Sequence, residues 1–229
     1  MTTRYFMAFA AKDDLKQAAD KVLELREQNA KESWVPYFDD MLDLFVPAFL
    51  DSMLVDTCDA VGLSPRASKI IHSSCDTLSH TISSMIAKLI KKRSNEEMIP
   101  LVDFTDDVYL RAENCSTGHD SVGFQLGKEL YDEIKYLLKE IRSGKLEQHR
   151  DDLIDIMIRT VDIAIEDMMV RIISLLKINF VVRKLCDAAV ATSRSACHLV
   201  VHKVFKNLDE ESMLRLGDFF EGLLVIEER

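Results

Sequence analysis

An all-α fold, a bundle of six to eight amphipathic helices, is what this sequence predicts, and three observations carry it. Gly and Pro number only 7 and 4 in 229 residues, too few to turn the corners of an all-β sandwich or barrel. The apolar fraction of 48% is too high for a disordered chain. Along most of the chain apolar residues recur at intervals of three and four, the spacing of one helix face.

A polar first helix is expected near 12–31, with Leu15, Ala18, Ala19, Val22 and Leu25 on one stripe. Ser33 and Pro36 open a second, running to about Ala60, that turns Phe38, Met41, Leu42, Phe45, Phe49, Met53 and Leu54 inward. Pro47 inside it predicts a kink or a split. Gly62, Ser64 and Pro65 then supply a stop, a cap and a start. The third helix, about 65–93, places Ile70, Ile71, Cys75, Leu78, Ile82, Met85, Ile86 and Leu89 on one face. It ends in Lys91, Lys92 and Arg93, as the helix dipole favours. Residues 96–112, with Pro100 among them, fit neither period, and 113–123 reads as a loop.

In the second half, a helix near 124–142 is ended by Ser143 and Gly144. A very apolar helix near 146–178 follows. Its polar stripe is narrow (Asp152, Asp155, Arg159, Asp162, Glu166), so it is expected to be central, touched by several neighbours. Further helices are expected at 181–206 and 210–226, the last containing Gly217 and Gly222. The chain therefore reads as a single helical domain, 1–229, or as helical subdomains 1–112 and 124–229 joined by the 113–123 loop.

With 29 Lys+Arg against 39 Asp+Glu the net charge is −10, which argues against nucleic acid and favours a basic protein partner. The five cysteines (Cys58, Cys75, Cys115, Cys186, Cys197) are odd in number and lack CxxC spacing, as expected of reduced thiols in a cytoplasmic protein. The apolar run from Tyr5 to Ala11 is followed at once by Lys12, Asp13 and Asp14, too short for a secretion signal. No uninterrupted apolar stretch is long enough for a membrane span. Cys58-Asp59-Ala60-Val61 and Cys186-Asp187-Ala188-Ala189 look alike, and each precedes an apolar run ending in His72 or His202. Aligning them needs a gap, so a chain without internal repeats is expected.

Among the 6 histidines, His72 and His80 bracket Asp76 at i, i+4, i+8, and His198 and His202 lie at i, i+4. Residues four apart share a helix side, and imidazole and carboxylate are donors for zinc, iron or manganese. His72, Asp76, His80, His198 and His202 are thus the candidate ligands of a divalent transition metal. Asp39-Asp40-Met41-Leu42-Asp43 and Asp151-Asp152-Leu153-Ile154-Asp155 both match DDxxD, a carboxylate spacing that can hold Mg²⁺ against a diphosphate. The pair is similar to the arrangement in trans-prenyl diphosphate synthases, although Leu44-Phe45-Val46-Pro47 stand where that family has diphosphate-binding arginines. Arg66 and His72 have an Rx5H spacing that resembles the motif of HEPN-type ribonucleases, against which the acidic balance argues. Ser116, His119, Asp120 and Ser121 are triad residue types, but as near neighbours in a loop they read as linker. The helix at 68–84 is rich in Ser and Thr, suited to close helix packing.

The leading expectation is a non-enzymatic, acidic helical protein–protein interaction module: an adaptor, a scaffold, or an inhibitor of a basic partner. It needs no cofactor, and it forms a homodimer through the apolar helices at 151–206. The alternative is a metal-binding helical-bundle hydrolase or transferase built on the five His/Asp ligands. The third is a diphosphate-binding, isoprenoid-type enzyme built on the two DDxxD motifs.

Overall fold

The computed structural model describes residues 2–62, 65–206 and 208–229, with the side chains at 65–67, 70, 74 and 203–205 left aside. Ser64, and the side chains of Arg66, Ile70 and Ser74, lie outside the described residues. The chain is mostly helical. The all-α expectation needs a correction, because a four-stranded antiparallel sheet is present.

The first half runs β1 (Thr3–Ala10), α1 (Asp13–Glu27), α2 (Val35–Leu50), a π-helical turn (Asp51–Val55), α3 (Asp56–Ala60), α4 (Pro65–Ile90), α5 (Asn95–Val108) and β2 (Tyr109–Leu110). The second half runs β3 (Ser121–Leu126), α6 (Lys128–Arg142), α7 (Leu146–Ile165), a π-helical turn (Glu166–Val170), α8 (Arg171–Leu175), α9 (Phe180–Phe205), α10 (Glu210–Leu223) and β4 (Leu224–Glu228). The two halves present the same elements in the same order. From α1 and α6 onward each element of the second half ends or begins 115 positions after its counterpart, so Pro65–Ile90 answers to Phe180–Phe205 and Asp51–Val55 to Glu166–Val170.

The repetition extends to the physical chemistry of single positions. Buried residues coincide: Leu15 with Leu130, Phe38 with Leu153, Met41 with Ile156, Leu50 with Ile165, Cys75 with Val190, Met98 with Met213, Leu101 with Leu216. Ser94 and Asp209 are the N-caps of α5 and α10. Ser94 Oγ accepts from the Glu97 amide at 3.4 Å, and an Asp209 carboxylate oxygen accepts from the Ser212 amide at 2.8 Å. Helices α1 and α6 end on residues of positive φ, Asn29 at 47° and Gly144 at 83°. Each closes with the same pair of backbone bonds, Ala30 to Leu25 and Asn29 to Arg26, Lys145 to Glu140 and Gly144 to Ile141. The likeness of Cys58 to Cys186 falls outside this register, in which Cys58 answers to Ile173 and Cys186 to Ile71.

Two compact units result, and neither is simply one half. One comprises residues 9–123; the other comprises 1–8 together with 124–229. In the first, α2 packs on α1 and α4, and α5 on α1; in the second, α7 packs on α6 and α9, and α10 on α6. Strands β2 and β3 pair antiparallel, Tyr109 opposite Val122 and Leu110 opposite Ser121. Strands β1 and β4 pair likewise, from Thr3 opposite Glu228 to Met7 opposite Leu224. Shifting the first register by the repeat spacing gives the second: Met7 stands to Leu224 as Val122 stands to Tyr109. The first strand of each half therefore lies on the last strand of the other.

The strands correct two expectations and account for one run that the helical reading leaves without an element. All of the run Tyr5–Ala11 but its last residue lies in β1, where Phe6, Met7, Ala8 and Phe9 are all buried, the continuous apolar signature of a strand covered on both faces. Residues 121–126 form a strand where a loop and the start of a helix were expected, and Leu224–Glu228 leave the last helix for β4. Residues 96–112 are mostly α5, whose capping box at Ser94 and Glu97 starts the helix and whose Pro100 sits inside it. The 146–178 segment is α7, a π-helical turn and α8, ending at Leu175. Pro47 does not cause the π-helical turn after α2, since the same turn follows α7, where Asp162 takes its place. No helix among the described residues is long and apolar enough to cross a membrane. In the 151–206 range where a dimer surface was expected, the large exposed apolar residues among those described are Phe180, Val181, Leu185 and Leu199, all on α9.

The paired C-terminal turns give a direct test. A Cβ on Gly144 would meet open space, so Gly144→Ala carries only the cost of positive φ. It should lower the free energy of unfolding in urea by about 1 kcal/mol, whereas Asn29→Gly at the matched turn should leave it unchanged or raise it by a few tenths.

Candidate functional site

The unit of residues 9–123 contains a cavity of about 310 Å³ where the end of β1, the π-helical turn and α4 meet. Phe9, Ala10, Ala48 and Val55 form its apolar wall, and Lys12, Asp51, Ser52, Asp56, Asp59 and His72 its polar one. Behind the apolar wall the ring of Phe49 packs 6.4 Å from that of Phe9 and 5.8 Å from that of Phe45, holding strand and helix in place.

The π-helical turn explains why three carboxylates share one opening. In a regular α-helix, residues five apart diverge around the axis. In the π-helical turn hydrogen bonding runs i to i+5, so Asp51 and Asp56 come onto one side. Asp59 follows one α-helical turn later, in α3. Burial, then Asp51 and Asp59 beside it, raises the Asp56 carboxyl above its ordinary value, with Lys12 pulling the other way. Among the described residues no ion pair reaches any of the three; Asp59 accepts a long hydrogen bond from Ser68 Oγ at 3.5 Å. Below them, Cys58 is buried and its thiol is pushed up to about 11, first by burial and then by Cys75, so it stays protonated.

The matched stretch of the other unit has a different solution. Glu166, Asp167, Arg171 and Ser174 take the places of Asp51, Ser52, Asp56 and Asp59, while Gly127 and Asp187 take those of Lys12 and His72. Arg171 Nη1 lies 3.1 Å from Asp167 Oδ1, and Asp167 Oδ2 accepts from the Gln125 amide at 3.4 Å. This unit carries its own guanidinium among its carboxylates. The unit of residues 9–123 has an aspartate there instead.

The residues singled out in the sequence are placed as follows. His72 lines the cavity; Asp76 and His80 stand exposed along α4. His198 Nε2 lies 2.9 Å from Asp162 Oδ1 on α7, an oxygen that Arg194 Nε also approaches at 3.1 Å, and His202 is exposed. His72, Asp76 and His80 belong to one unit, His198 and His202 to the other. Among the described residues, no three of His, Cys, Asp and Glu gather closely enough to hold a metal ion. The DDxxD aspartates lie opposite the buried stripes of α2 and α7. Burial, then Asp43 and Asp40, raises the Asp39 carboxyl, and Asp152 lies 3.0 Å from His149 Nδ1.

The loop aspartate Asp120 is structural. Burial works against its ionisation, but bonds from Lys16 and, at 2.9 Å, from the Ala112 amide bring its pKa below the ordinary value. Sequence reading named His72 but passed over Asp51, Asp56, Asp59 and Lys12, because a spacing of five has no meaning on a regular helix. Compared with protein-family models, curated proteins and solved structures, the chain matches none.

Because Asp56 is raised in the fold, its ionisation disfavours the folded state at every pH above its folded value, and the penalty vanishes below the ordinary aspartate value of 3.8. Asp56→Asn should therefore raise the urea midpoint at pH 7, and the gain should shrink to nothing as the pH is lowered toward 3.8.

Proposed function

We propose that this chain is a non-enzymatic, acidic protein-interaction module whose cavity between β1, the π-helical turn and α4 receives a lysine or arginine side chain of a basic partner. The observation that supports the reading best is the contrast between the two matched sites. Where one unit pairs Asp167 with Arg171 and Glu166 with Arg194, the other leaves Asp51, Asp56 and Asp59 around an open cavity with an apolar wall. A guanidinium or ammonium on an aliphatic stem fits both walls, since its head bonds carboxylates and its methylenes cover Phe9 and Val55. The net charge of −10 adds long-range attraction for such a partner.

The test is titration of a short peptide containing one arginine, followed by isothermal calorimetry. Asp56→Arg would copy the filled arrangement of the other unit and is expected to weaken binding by about tenfold or more. Asp152→Arg, the same charge change on an exposed face of α7, should cost no more than about twofold. Equal losses in both variants, or no binding by the unaltered chain, would overturn the proposal.

A further inference from the structure

We infer that the chain is a fused form of a strand-exchanged homodimer, and that its β1–β4 and β3–β2 pairings are an association surface able to join separate polypeptides. The partner this surface fits is a second copy of the same repeat. Three observations converge on it. The elements of the two halves repeat in one register, down to caps and positive-φ turns. The first strand of each half lies on the last strand of the other, in matched pairings. And the surface carries recognition of its own. Glu227 is fully buried in β4, and Arg4 of β1 reaches it with Nε 2.7 Å from Oε2, while Arg229 Nε lies 2.9 Å from Oε1. Thr2 and Arg229 exchange both backbone hydrogen bonds, at 2.6 and 3.1 Å. Alternation along an antiparallel pair then aims the Arg4 and Phe6 amides at Glu227 and Val225. A carboxylate buried in one repeat is thus neutralised partly by a guanidinium from the other, an arrangement that needs no covalent link between them.

The full-length chain tests this if a protease site is inserted at Gly118, in an exposed turn with open space around it. After cleavage under native conditions the two fragments should elute together at the mass of the intact chain, and remain together on dilution to about 1 μM. Arg4→Pro removes both the guanidinium and the ladder amide and should let the cleaved fragments separate at concentrations where Arg4→Lys does not. Arg229→Pro, which deletes the amide bond to Thr2 and the Arg229 guanidinium on Glu227 but leaves the Arg4 contacts in place, is the second variant should Arg4→Pro fail to fold uncut, and it too should weaken association. Fragments that separate without any substitution would overturn the inference. So would cleaved Arg4→Pro or Arg229→Pro chains that hold together as tightly as the unaltered one.

Discussion

Glu227 has no exposed surface, and its carboxylate is bracketed by Arg4 and Arg229, one from each end of the chain. A carboxylate taken out of water costs several kcal/mol unless its partners arrive with it. Burying Glu227 therefore requires β1 to be seated on β4, and seating β1 buries Phe6, Met7 and Ala8 in the unit formed with residues 124–229. Around this contact the rest of that unit follows, with Tyr5 packing its ring 4.9 Å from that of Tyr131 on α6. The last strand of α10's own half is completed by a strand from the other half.

Two copies of one pattern, free to diverge, show which positions the pattern constrains. At several core sites the identity differs while the apolar character is shared: Phe38 and Leu153, Leu42 and Met157, Ile86 and Val201. Sites that fix the backbone kept their chemistry, Ser94 and Asp209 as caps, Asn29 and Gly144 at positive φ. One core position differs in volume, since buried Val102 is answered by Gly217, where a Cβ would stand 3.4 Å from the Leu138 side chain. The rim of the π-helical turn diverged in charge: an aspartate in one copy, a self-paired arginine in the other.

The helices were legible because their apolar stripes are long and regular. Expected spans of 65–93 and 181–206 stand against Pro65–Ile90 and Phe180–Phe205. The strands were not. Phe6 to Phe9 are all buried, so the period of two that marks a half-exposed strand is missing, and Leu224 to Ile226 simply prolong an apolar helix pattern. The repeat escaped notice for a related reason. Apart from scattered identities such as Leu15 and Leu130 and short runs such as Leu101-Asp103-Phe104 against Leu216-Asp218-Phe219, its two copies share apolar class more than identity, while the more conspicuous match of Cys58-Asp59 to Cys186-Asp187 lies in another register. His72 was found by its residue type, but its neighbours in the cavity were hidden because the helix that carries them changes its hydrogen bonding at Asp51.

Native-state hydrogen exchange under a denaturant series addresses the central claim most directly. If β1 belongs to the unit of residues 124–229, the amides of Arg4 and Phe6 should open with the same free energy and the same denaturant dependence as those of Met213 and Leu216 in α10. Exchange of Arg4 and Phe6 that instead tracks Met98 and Leu101 in α5, or that is no slower than in an unfolded chain, would contradict the strand exchange on which this account rests.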